Sequence, residues 1–159
     1  MRIDERQIME KFRHPFIMKL QFAFQDSAHL YLIMEFINGG ELFYHLKKDR
    51  KFDEARAKFY TAEIILALEY LHDNGVIYRD VKPENILIDS EGHIRMTDFG
   101  LSKGGLDMTD GRTESFCGTT EYLAPEIINS KTYGYSVDWY SLGLVLYEML
   151  SGHNPFKTG

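Results

Sequence analysis

Residues 76–89, VIYRDVKPENILID, set the hardest folding problem in this chain. Two apolar runs, Val76–Tyr78 and Ile86–Ile88, enclose Arg79, Asp80, Lys82, Glu84 and Asn85. Side chains such as Ile, Leu and Val belong in a core, whereas ionised groups leave water only when they are paired and hydrogen-bonded. Charged loops are usually solvated, yet they rarely sit between strand-like runs of this kind. The segment therefore asks for a partnered polar site built between two buried stretches.

Composition narrows the classes in which such a site can occur. The chain has 159 residues, 44% hydrophobic and 26% charged, which fits one globular domain or part of one and excludes a disordered segment. A net charge of -6 argues against nucleic acid as the main partner and toward basic ones. The single Cys117 rules out an internal disulfide framework and fits a reducing compartment, cytosolic or nuclear. No secretory signal pattern opens the chain. The longest apolar-rich stretch, Leu142–Leu150, contains Glu148 and is too short for a transmembrane segment.

The hydrophobic pattern gives an α+β order. Residues 3–12 predict a short helix. Leu20, Phe22 and Phe24 alternate with Gln21 and Ala23, and after a turn at 26–29 a second strand is expected over 30–36. Asn38-Gly39-Gly40 breaks the chain, and 41–48 reads as a short helix. Asp53 is placed to cap a long helix that stops at Asn74-Gly75. Phe59, Ile64, Ile65, Leu66, Leu68 and Leu71 put apolar groups on most of its faces, which predicts a largely buried helix. Residues 89–92 turn between two short strands, and Ser136 is placed to cap a last, apolar helix. Two unequal regions, 1–37 and 38–159, are expected to join at 38–40.

Further along, Asp98-Phe99-Gly100 ends a strand with a carboxylate, a large anchor and a residue that permits a sharp reversal. Ala124-Pro125-Glu126 then closes a polar, Gly-rich stretch. Each tripeptide alone is weak. The ordered set YRDVKPEN, DFG and APE resembles the eukaryotic protein kinases over essentially the whole chain. Tyr78 ahead of Arg79-Asp80, the HPF at 14–16 and SFCGT at 115–119 narrow the resemblance to the AGC group: Akt-like, ribosomal S6 kinase-like and cyclic-nucleotide-dependent enzymes.

That resemblance implies a bilobal kinase-like fold, with 1–37 the end of the N-lobe plus hinge and 38–159 part of the C-lobe. It implies transfer of the ATP γ-phosphate to Ser or Thr, with ATP and Mg2+ as cofactors. Asp80 would orient the substrate hydroxyl and accept its proton. Lys82, which marks Ser/Thr rather than Tyr kinases, would steady the moving phosphoryl group, and Thr119 would bridge Asp80 and Lys82. Asn85 and Asp98 would supply hard oxygen ligands for magnesium. Glu35, Phe36 and Ile37 would receive adenine after a Met34 gatekeeper, with Leu87 under the ring and Glu41 on the ribose. Met9, Leu20, Tyr78 and Phe99 would stack between the lobes, and Asp138 would accept from the catalytic-loop backbone.

Regulation and specificity follow by the same resemblance. Ser115 holds the activation-loop phosphosite, to be filled by an upstream activating kinase, with Arg79 and Lys103 receiving the phosphate. Glu41, Glu84 and Glu148 match positions that recognise arginines, which implies protein substrates with upstream Arg or Lys. Glu5 matches the helix glutamate that pairs with a phosphate-binding lysine. The Gly-rich loop and that lysine are absent from the sequence, as are the last C-lobe helices. The isolated chain is therefore expected to have little or no kinase activity and to leave apolar helix faces uncovered. A non-catalytic, pseudokinase-like binding module is the alternative of a different class, and a small-molecule phosphotransferase a third. The six histidines show no metal-ligand spacing and predict solvent-facing or packing roles.

Overall fold

The computed structural model describes residues 10–105 and 113–157. Glu5, Met9 and most of the predicted first helix lie outside the described residues, as does 106–112. The order is β1 (Leu20–Gln25), β2 (Leu30–Met34), α1 (Leu42–Asp49), α2 (Glu54–Asp73), β3 (Ile86–Ile88), β4 (Ile94–Met96), α3 (Pro125–Ile128) and α4 (Ser136–Ser151). The fold is α+β, with two separate antiparallel hairpins, β1–β2 and β3–β4, among the helices. No helix among the described residues is long and apolar enough to cross a membrane.

Asp26 makes the first hairpin turn. Its Oδ1 accepts from the N–H groups of Ala28 and His29 at 2.8 and 2.7 Å, and Asp26 N donates to His29 O at 3.0 Å. Strand β2 stops at Met34, short of the expected 36. At that end the Lys19 N–H bonds the Glu35 side chain at 3.2 Å, while Glu35 N reaches Lys19 O at only 3.4 Å. The alternation of Leu20, Phe22 and Phe24 does not mark a covered face. Leu20 is buried, but the pairing shifts between Leu20 and Phe22, and Phe22 and Phe24 stay exposed.

Helix α2 begins and ends where its sequence says. The Asp53 side chain accepts from Arg56 N at 2.8 Å, filling one of the orphan donors of the first turn. At the other end Gly75 turns left-handed (φ 73). Gly75 N donates to His72 O at 2.9 Å and Val76 N to Leu71 O at 2.9 Å, and the buried Val76 and Leu71 complete the Schellman cap. Replacing Asp53 with Ala is expected to cost about 1 kcal/mol, read as a lower thermal midpoint in a circular-dichroism melt.

Burial of α2 is one-sided rather than nearly complete. Ile64, Leu68 and Leu71 are fully buried, while Phe59 and Leu66 are close to half exposed. The buried side packs on α4, whose Val145 and Met149 reach zero exposure. Along the outer edge of this pair runs an apolar groove that includes Ile65, Leu146 and Leu150. Helix α4 enters without the expected Ser136 cap. Val137 N and Asp138 N donate to the carbonyls of Gly134 and Tyr135 at 3.4 and 3.2 Å. Backbone acceptors from the preceding turn serve the donors that Ser136 was expected to meet.

Backbone bridges hold the remaining segments to this core. Met18 N donates to Met96 O and Met96 N to Phe16 O, both at 2.9 Å, tying 16–18 to β4. Glu41 bridges Leu87, and Ile77 bridges Lys103. The break at 38–40 needs glycine for space: a Cβ on Gly39 would lie 2.2 Å from Ile88 O, and Gly40 has φ +79.

Candidate active site

The loop between α2 and β3 is fixed from beneath by Asp138 in the first turn of α4. Its carboxylate is completely buried. Oδ2 accepts from Tyr78 N at 2.9 Å and from His72 Nε2 at 2.7 Å, and Oδ1 accepts from Arg79 N at 2.8 Å. An ionised group so deeply placed requires this many donors. Two of them are consecutive loop amides, and the second residue, Arg79, holds φ 71. His72, expected to face solvent or pack, packs against Tyr135 and Trp139 and also serves as the third donor. No spacing rule could have found this contact, because its partner is remote in the chain.

Above Asp138 the loop gathers its polar groups. Asp80 is buried, and its Oδ1 accepts from Thr119 N at 3.2 Å and Thr119 Oγ1 at 2.9 Å. Oδ2 accepts from Asn85 Nδ2 at 2.7 Å and pairs with Lys82 Nζ at 2.8 Å. Lys82 Nζ also donates to Thr119 Oγ1 at 2.8 Å. Thr119 reaches the loop because Gly118 takes φ +118; a Cβ there would meet Leu123 Cδ2 at 2.4 Å and Arg79 O at 2.9 Å. Asp80, Lys82, Asn85 and Thr119 thus form one hydrogen-bonded cluster.

Asn85 ends a short 3-10 turn, Pro83–Asn85, and its amide nitrogen is committed to Asp80 through Oδ2 and through the backbone O at 3.0 Å. Its amide oxygen therefore projects from the opposite side of the amide. Thr97 N donates to the backbone O of Asn85 at 2.9 Å, one residue ahead of Asp98. Strand β4 has already ended at Met96, and Asp98 rather than Gly100 takes the left-handed reversal, with φ 54. Asp tolerates that region better than most residues with a side chain. The Asp98 side chain is exposed, with one oxygen accepting from Gly100 N at 3.2 Å. Among the described residues no group of three or more His, Cys, Asp and Glu could hold a metal alone. Two hard oxygen donors fit an ion that keeps phosphate and water oxygens for its other positions, as magnesium does.

Phe99 is fully buried, edge-on to Tyr78 with ring centroids 5.4 Å apart. The Tyr78 hydroxyl donates to Thr97 O. Burial, followed by the charges of Asp80, Asp98 and Asp138, pushes that hydroxyl well above its usual pKa. Leu20 is buried in the same core.

The expected nucleotide positions differ in burial. Leu87 is half-buried and bridged to Glu41, whose side chain is exposed and makes no helix-cap bond. Ile37 is half-buried against the core, whereas Phe36 is 90% exposed and Met34 43%. Glu35 turns its carboxylate to Lys19 N and, at 3.7 Å, to Arg95 Nε.

Arg79 faces the other side. Its Nε donates to Leu101 O at 2.6 Å and its Nη1 to the Tyr133 hydroxyl at 3.2 Å, while the buried Nη2 has no partner. The Tyr133 hydroxyl in turn donates to Ser115 O at 2.5 Å. Tyr133 thus links Arg79 to the exposed Ser115, a connection that sequence spacing did not signal. Lys103 sits nearby in the chain path, held to Ile77 by a pair of backbone bonds.

Glu148 is buried, with Oε2 accepting from the Tyr122 hydroxyl at 2.5 Å. Burial, and then the negative charge of Glu84, raises the Glu148 carboxyl above its ordinary pKa, against the Tyr122 hydrogen bond. The buried Glu84 Oε2 has no partner. Glu84 acts on Glu148 as a like charge, and the positive charge of Lys157 acts on it in the opposite sense.

Comparison with known proteins agrees with this geometry. Residues 2–159 match the protein kinase domain family. The chain is 57% identical over 154 residues to the RAC family serine/threonine-protein kinase homolog of Dictyostelium discoideum, covering 97% of this chain and 35% of that protein. It is 52% identical over 155 residues to RAC-beta serine/threonine-protein kinase A of Xenopus laevis (97% and 32%). It is 54% identical over 153 residues to the cAMP-dependent protein kinase catalytic subunit of Dictyostelium discoideum (96% and 23%). The chain therefore spans about a third or less of the length of these relatives. The chain belongs to the protein kinase domain family, in its AGC Ser/Thr group.

Proposed function

We propose that the protein carrying this chain transfers the γ-phosphate of ATP to Ser or Thr hydroxyls of protein substrates. The observation that carries this reading is the buried Asp80 carboxylate, shared by Thr119, Lys82 and Asn85. Its two oxygens are oriented by donors on both sides, so a substrate hydroxyl can be aligned on it and pass it the proton as the oxygen attacks phosphorus. The charge of Lys82 would follow the moving phosphoryl group, with Thr119 fixing its head. Asn85 and Asp98 would hold magnesium, which when bound neutralises charge on the phosphate oxygens. Leu87, Ile37, Glu35 and Glu41 would line the nucleotide side, with 1–37 as the end of an N-lobe and hinge and 38–159 as part of a C-lobe.

Phosphate on Ser115, added by an upstream kinase, would bring close to two negative charges near Arg79. The unpartnered Nη2 and the Tyr133 link support that role, with Lys103 as the second cation. Glu5, the proposed partner of a phosphate-binding lysine, lies outside the described residues. For substrates, the unpartnered Glu84 Oε2 and the buried Glu148 carboxylate would take up a guanidinium, because a cation relieves the burial of both; Glu41 would read a separate arginine.

A peptide array tests the substrate reading. Ser peptides with upstream Arg should be phosphorylated in preference to the same peptides with Gln. Glu148→Gln with Glu84→Gln should reduce that preference by about tenfold or more, the range for losing a charged hydrogen bond. Equal labelling of Arg and Gln peptides by the unaltered protein would remove the basophilic reading.

A further inference from the structure

The C-terminal end of α1 and the turn after α4 face each other across a cavity of about 560 Å³ whose walls carry like charge. Lys47 and Arg50 come from one wall, and His153 and Lys157 from the other. All four are exposed. Among the described residues, Lys47 and Arg50 have no ion-pair partner, and Lys157 acts on the Glu148 carboxylate through its charge alone; the Lys47 ammonium rests 4.8 Å from the Phe43 ring centroid. The one carboxylate in the lining, Glu148, is buried and already accepts from Tyr122. Three cations thus crowd a concave site in a chain of net charge -6.

The backbone makes the same point independently. Arg50 takes φ 67 and ψ -45, a region that costs free energy for any residue with a Cβ and is kept where function requires it. Gly152 (φ +85) lies against the same carbonyl: a Cβ on it would come within 2.4 Å of Arg50 O. Of two facing residues with positive φ, one is the expected glycine and the other is an arginine. Packing does not explain that choice, since Arg50 is exposed.

We propose that this cavity binds an acidic side chain of the peptide substrate, so that the preferred substrate pairs its arginine with an upstream Glu, Asp or phosphoserine. The inference rests on the protein-substrate reading above. It also removes a difficulty in that reading. An arginine bound at Glu148 shares that cavity lining with Lys47, Arg50 and Lys157, and an accompanying acid offsets the repulsion among them. Pairing both signs also adds discrimination, because a peptide with arginines alone meets like charge at the rim.

The test is fluorescence-anisotropy binding at low ionic strength of labelled Ser peptides. Each carries one Arg, and a Glu is walked through every upstream position against Gln at the same place. At one or two positions Glu should tighten binding by about fivefold, the upper range for a solvent-exposed ion pair. The gain should disappear at high salt, in Arg50→Gly and in Lys47→Gln/Lys157→Gln. Arg50→Gly relieves the backbone, so its thermal midpoint should not fall, and loss of the gain cannot then be laid to misfolding. Equal binding of Glu and Gln peptides at every position, with Arg still required, overturns the acid site and leaves the arginine reading intact. A Glu gain that survives these variants also overturns it. A Glu gain that needs no Arg supports the acid site and removes the arginine reading.

Discussion

Replacing Asp138 with Ala is expected to remove about 3–5 kcal/mol of stability, the range for stripping a buried charged acceptor from its partners. The substitution strands Tyr78 N, Arg79 N and His72 Nε2 where water has little access. Folded domains have only about 5–15 kcal/mol in hand, so the urea midpoint should fall by about 2 M at an ordinary denaturant slope. Asp138→Asn keeps one acceptor oxygen and should fall between the two. Asp26 offers the control. It accepts from two backbone N–H groups and the Tyr31 hydroxyl, yet it is exposed, so water can replace what Ala removes. Asp26→Ala should therefore shift the midpoint far less. Equal shifts would mean that the number of hydrogen bonds, and not burial, governs the loop's stability.

Asp80→Asn is expected to lower kcat by about 10²–10⁴, the usual contribution of a positioned general base. The amide keeps an oxygen for Thr119, but it cannot accept the substrate proton, and its NH2 meets the Asn85 and Lys82 donors. The Lys82–Thr119 bond does not depend on Asp80 and should hold the loop together. The effect should therefore appear in kcat with KM for ATP little changed, and the circular-dichroism spectrum should match that of the unaltered protein. A matching loss of folded signal would reassign Asp80 to a structural role.

Local chemistry in this chain was legible wherever cause and effect sit within a few residues. Asp26, Asp53 and Gly75 act on backbone groups two or three positions away, and each does what its type predicts. The polar knot at 79–85 was legible because adjacent apolar runs forced the question of partners. What escaped was set by distant packing. His72 meets Asp138 and Tyr133 joins Arg79 to Ser115 across long stretches of chain, with no periodicity between them. Ser136 fails as a cap because the preceding turn supplies carbonyls first. Asp98 takes the reversal expected of Gly100, next to a Phe99 that packs against the distant Tyr78. Phe22 and Phe24 show the opposite error, a strand pattern whose apolar side faces outward.

The most direct measurement is the transfer of labelled γ-phosphate from ATP to an Arg-containing Ser peptide by the protein that carries this chain, with and without Mg2+. The account predicts phosphoserine that forms only with Mg2+ and falls to the background rate in Asp98→Ala, which removes one of the two proposed metal ligands. Mg2+-independent transfer, or transfer undiminished in both Asp98→Ala and Asp80→Asn, would contradict it.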